Sequence, residues 1–108
     1  WSVGSEVYRP MELATHSAYR RMRSEAAMQA ATLARQQERM KLFEDSLLPD
    51  AEFTAEAAFS AYQAALESLT TLMRARITEF ELQLDYATLR AEMLKTEARL
   101  LYFEGEST

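Results

Sequence analysis

The 108 residues predict an all-α fold, a long antiparallel helical hairpin of coiled-coil type, preceded by one short β-like segment. Three observations carry the prediction. From Ser5 to Glu104 there is no glycine, so tight β-turns, phosphate cradles and nucleophile elbows, which need φ > 0 or close backbone approach, have nowhere to form. Alanine, leucine, glutamate, arginine, glutamine and methionine are abundant, and these are the strongest helix formers. Apolar residues also recur at alternating spacings of 4 and 3 over most of the chain, the period of a coiled-coil seam. At about 100–150 residues per domain, the length allows a single domain.

The first segment is the exception. Residues 1–10 (WSVGSEVYRP) alternate, with Trp1, Val3 and Val7 on one side and Ser2, Gly4, Glu6 and Tyr8 on the other, which reads as a strand stopped by Pro10. Helical periodicity begins just after it, with Thr15 and Ser17 as candidate N-caps. From Met22 the apolar positions run Met22, Ala26, Leu33, Met40, Phe43 and Leu47, with Gln29 and Gln36 as polar members of the same track. Pro49 then removes a backbone donor and biases Leu48 toward extended geometry, which predicts a kink, or a break and restart, with Asp50 and Glu52 favourable at a new N-terminus. Beyond it Ala51, Ala55, Ala58, Tyr62 and Ala65 form a stripe of mostly small side chains that admits a close neighbour.

A short link near residues 64–68 (AALES) joins two helices of about 12–64 and 69–103, with the tip near 65–68. A connection this short makes them antiparallel neighbours. The second helix carries two seams. Met73, Ile77, Phe80, Leu84, Ala87, Ala91, Leu94, Ala98 and Leu101 keep the 4,3 spacing without a break. Leu72, Ala75, Glu79, Leu82, Tyr86, Leu89, Met93, Thr96, Leu100 and Phe103 repeat with the same period, on a flank roughly 150° away at ~100° per residue. A two-helix hairpin needs one seam, so this pattern predicts neighbours on two sides, as in a bundle, a dimer or a tube wall. Gly105 marks the expected C-terminal cap.

Charge and residue inventory exclude several classes of function. Twelve basic and seventeen acidic residues give a net charge of −5, the wrong sign for a grip on nucleic acid. The balance is uneven: residues 44–67 hold six acidic side chains and no basic one, most simply a solvated face. With no cysteine there is no disulfide, thiolate nucleophile or Cys-based zinc site. The single histidine, His16, has Leu13 three residues before it, so the Glu-x-x-His motif of a bundle di-iron site is absent, and Glu12 with His16 alone makes no metal site. No catalytic residue, cofactor or metal is expected, and the chain reads as a non-enzyme. The six methionines are spread over both seams as packing residues.

From about residue 40 to 103 the chain resembles the C-terminal hairpin of TolC-type outer-membrane efflux proteins. The family pattern reads Leu-Leu-Pro-x-Ala, then Tyr-x-x-Gly, then Phe/Ile-Leu-x-Leu-Leu-x-Ala. Leu47, Leu48, Pro49 and Ala51 fit the first element, Tyr62 the second, and Leu69, Leu72, Met73 and Ala75 the third. The proline-closed segment at 1–10 is similar to a barrel strand entering a periplasmic helix. This resemblance implies a trimer whose protomers share an outer-membrane β-barrel and a periplasmic helical tunnel, the chain here being a fragment of the tunnel. It implies a tip formed by Tyr62, Ala65, Glu67, Ser68, Leu69 and Leu72, which docks a periplasmic adaptor for export driven by an inner-membrane transporter. Ala65 stands where the family usually has glycine. The family's aperture Arg and two Asp residues are replaced by Glu67, Thr71 and Arg74, so its gate is not carried over. A soluble coiled-coil scaffold binding partner helices is the alternative reading.

Overall fold

The computed structural model describes residues 2–107, with side chains described from Met11 to Gly105. Helix α1 spans Ser2–Leu42, a π-helical turn Phe43–Leu47, helix α2 Leu48–Gln63 and helix α3 Leu69–Ser107. The described residues contain no strand. The all-α expectation holds; the β-like segment at 1–10 does not. Trp1 lies outside the described residues, and the backbone of 2–10 belongs to α1. The physical reason is that a lone strand has no ladder partner, whereas a helix satisfies its backbone groups internally. Thr15 is correspondingly no N-cap, since its Oγ1 donates 2.9 Å back to the Met11 carbonyl from within the helix. Gly105 is no C-cap either: it lies inside α3, and no described glycine has positive φ.

Pro49 does not end the first arm. Leu47 (φ −64, ψ −46) and Leu48 (φ −70, ψ −48) both stay right-handed helical, and the Leu48 N–H bonds the Phe43 carbonyl, five residues back. The proline sits in the first turn of α2, a place where its missing donor costs least. The helix therefore continues through a widened turn instead of breaking and restarting.

The chain divides into two compact units. One is Ala34–Lys95; the other consists of the chain up to Leu33 and from Thr96 on. In the first, the π-turn and its flanks pack on α3 in antiparallel fashion. Met40, Phe43 and Leu89 are buried at its centre, with Leu47, Leu48, Leu82, Tyr86 and Met93 packed against them. The Phe43 and Tyr86 rings tilt at 47° with centroids 6.0 Å apart, and the Arg39 guanidinium lies 6.0 Å from the Phe43 centroid. Toward the turn the core narrows to alanine, with Ala51 and Ala55 buried and Ala58 half-buried.

In the second unit Thr96 is buried at 2% exposure, and Met22, Ala26, Gln29, Leu33, Leu100 and Phe103 are half-buried. Tyr102 and Phe103 meet edge to face at 5.8 Å, and Arg23 lies 5.8 Å from the Tyr19 ring centroid. His16 and Glu12 are exposed on this arm.

Candidate functional site: the turn and the outer seam

Two features follow from the fold: the link between the arms and the uncovered face of α3. The link is a Schellman motif. The Ala65 N–H reaches the Tyr62 carbonyl at 3.0 Å, and the Leu66 N–H the Ala61 carbonyl at 2.8 Å, the paired 5→2 and 6→1 bonds that satisfy a helix's last carbonyls. This motif requires a left-handed residue at its next-to-last position, and Ala65 has φ 59. Holding an alanine there costs roughly 1–2 kcal/mol. The backbone thus explains why glycine would suit this position, and the alanine does not prevent the tight turn.

The other end of the link is capped. Ser68 Oγ accepts from the Thr71 N–H at 3.2 Å and lies 3.1 Å from Thr71 Oγ1, and the Leu72 N–H bonds the Ser68 carbonyl at 3.2 Å. A serine at the N-cap followed by a hydroxyl at N3 starts α3 at Leu69. Of the residues expected at the tip, Tyr62, Ala65, Glu67, Ser68 and Leu69 are exposed on or beside the turn. Leu72 is 8% exposed and belongs to the buried seam instead. Leu66, absent from the sequence expectation, is the most exposed large apolar side chain among the described residues at 79%. Its signal lies one residue after the left-handed position, where Schellman motifs favour an apolar side chain.

Just past the turn, Arg76 bridges the arms. Its Nη1 donates to Glu79 Oε1 at 3.2 Å while its guanidinium lies 5.9 Å from the Phe59 ring centroid. Glu79, a polar member of the inner seam, is paired in this way. On the first arm's own track within this unit, the polar member Gln36 has its Oε1 buried without a hydrogen-bond partner. At the π-turn, the Tyr86 hydroxyl donates to Glu44 Oε1 at 2.6 Å. That bond, helped by burial and by the Glu44 charge and opposed by Arg90, raises the Tyr86 pKa above its ordinary value.

Every member of the unbroken seam of α3 is exposed: Met73, Ile77, Phe80, Leu84, Ala87, Ala91, Leu94, Ala98 and Leu101. Phe80 is 59% exposed and Leu84 51%. The seam with polar members is the one turned inward. Among the described residues no group of three or more His, Cys, Asp and Glu side chains is placed to hold a metal ion, and no helix is long and apolar enough to cross a membrane. Comparison of the chain with family models, with curated proteins and with solved structures gives no match.

Proposed function

We propose that this chain is a structural, non-enzymatic component whose outer seam packs into a larger wall of helices, and that this wall is the periplasmic tunnel of a TolC-like outer-membrane efflux channel. The observation that carries the proposal is the uncovered outer seam. Six large apolar side chains at strict heptad spacing, each more than half exposed, form a stripe that burial by a neighbouring helix would stabilise. The Leu47–Ala51, Tyr62 and Leu69–Ala75 patterns support the choice of family. So does the position of the link, which falls where the resemblance puts the tip, with left-handed Ala65 where the family usually has glycine. On this reading the assembly is a homotrimer at the outer membrane. The helical part lies in the periplasm, and the residues around the turn meet an adaptor that couples the channel to an inner-membrane transporter exporting small molecules or ions.

Glu67→Cys, exposed on the turn, tests this in cells making the intact protein. The expected result is a crosslink, by a bismaleimide or by a mild thiol oxidant, to a cysteine placed on the helical hairpin of a periplasmic adaptor. Cytosolic fractionation together with no such adduct would overturn the efflux reading.

One observation favours a second reading. The backbone of 2–10 is helical where the resemblance calls for a barrel strand. A coiled-coil scaffold that binds partner helices through the same seam needs no strand. It predicts cytosolic localisation and insensitivity to substitution at Tyr62 and Glu67.

A further inference from the structure

We propose that the π-turn at Phe43–Leu47 is a register device: it absorbs one residue by which the heptad repeat of the first arm exceeds that of α3, and so keeps Ala51, Ala55 and Ala58 against α3 and aims the turn at 64–68.

Within Ala34–Lys95 the inward positions of the first arm begin as Gln36, Met40, Phe43 and Leu47, at spacings of 4, 3 and 4. Continued strictly, that track would next reach Asp50, Thr54 and Ala57, and all three are exposed. The residues found inside are Ala51, Ala55 and Ala58, each one position later. Meanwhile α3 runs through Leu72, Ala75, Glu79, Leu82, Tyr86, Leu89 and Met93 with no interruption, each buried or half-buried. One arm therefore contains one residue more than its partner has places for.

A π-turn closes its hydrogen bond over five residues where an α-turn uses four, so it houses one extra residue without breaking the helix. The Leu48 N–H to Phe43 carbonyl bond encloses Leu47, the last residue of the old track, and closes before Ala51, the first of the new one. Without it α2 would sit about 100° out of phase, one residue's rotation, and the Asp50 carboxylate would replace Ala51 against α3. Pro49 fits beside such a turn, but a proline alone does not change which residues face inward. The phase of the seams does. The Phe43–Tyr86 ring contact and the Glu44–Tyr86 hydrogen bond pin the widened turn to α3.

Two variants of the same chain separate the seam phase from the proline as the cause. Pro49→Ala keeps the extra residue; deletion of Ser46 combined with Pro49→Ala removes it. NMR detection of the coupling across the Leu48–Phe43 hydrogen bond, amide exchange at Ala55 and thermal unfolding are the readouts. The expected result is that Pro49→Ala retains the five-residue bond. The deletion variant should lose it while Ala55 stays protected, and should melt within about 5 °C of Pro49→Ala, or higher. Overturning results are a Pro49→Ala chain that unfolds or becomes α-helical throughout, with Leu48 bonded to Glu44, or a deletion variant that unprotects Ala55 or melts more than about 5 °C lower.

Discussion

The two faces of α3 carry seams of the same period, built from the same kinds of residue, and the structure treats them oppositely. Leu72 and Leu89 are each 8% exposed on the inner seam; Leu84 and Leu94 are 51% and 54% exposed on the outer one. The inner seam is the less regular in composition, since Glu79 and Thr96 interrupt it, yet it is the one the first arm covers. The partner, more than the quality of the stripe, decides the difference. The first arm supplies Met40, Phe43 and Leu47 and then a run of alanines, a surface that accommodates the large residues Leu82, Tyr86 and Leu89 and gives room for Arg76 to pair Glu79. A heptad stripe shows that a helix face wants a neighbour; it does not show that the neighbour is in the same chain.

The comparison breaks most visibly at the inner core. Phe43→Ala removes the most buried aromatic ring among the described residues, at 3% exposure, and should destabilise the hairpin by about 3–5 kcal/mol in urea or thermal unfolding followed by circular dichroism. Leu89→Ala should cost about 2–4 kcal/mol in the same measurement.

The link between the arms gives intermediate effects of opposite sign. Ser68→Ala removes the cap of α3 and should cost about 1 kcal/mol. Ala65→Gly relieves an L-residue at φ 59 and should add about 1 kcal/mol, the steric gain being partly offset by the freedom glycine restores to the unfolded chain.

Tyr86 sharpens the inner seam's electrostatics. Its pKa is raised in the folded chain above the ordinary 10.0, chiefly because Glu44 accepts its hydrogen bond. Folding therefore holds the proton more tightly than the unfolded chain does. The stabilisation is fully present below the unfolded value and is lost as pH climbs through the folded one. Stability measured across that alkaline range should show the gap between the wild-type chain and Tyr86→Phe closing as pH rises. A constant gap would mean that the bond to Glu44 does not form.

The smallest expected effect on folding lies on the outer seam. Leu84→Ala or Phe80→Ala should shift hairpin stability by no more than about 0.5 kcal/mol under conditions where the chain is monomeric.

Much of this architecture is legible in the sequence. The track from Met22 to Leu47 is inward as its spacing predicts, the link falls at residues 64–68, and α3 begins at Leu69. The segment at 2–10 misleads because a period-2 alternation is a local signal, and without a pairing partner the helix wins. Gly105 misleads because it is tolerated in a helix as well as beyond one, and α3 carries it within its last turn. The π-turn was legible in principle. The step from the Phe43 and Leu47 track to Ala51, Ala55 and Ala58 leaves one residue over, but Pro49 offers a more familiar explanation at the same place. At the candidate site, the exposed turn residues are readable from the link's position, whereas Leu72 requires knowing which seam faces inward. Leu66 requires the Schellman geometry, and the Glu44–Tyr86 bond joins residues 42 apart, beyond any local pattern.

Sedimentation equilibrium of the chain beside its Leu84→Glu variant, with helicity followed by circular dichroism, tests most directly whether the outer seam is a packing surface. The account predicts that the wild-type chain associates and that Leu84→Glu moves it to monomer with helicity unchanged. A wild-type chain that stays monomeric at high concentration, or an association that Leu84→Glu leaves intact, would contradict it.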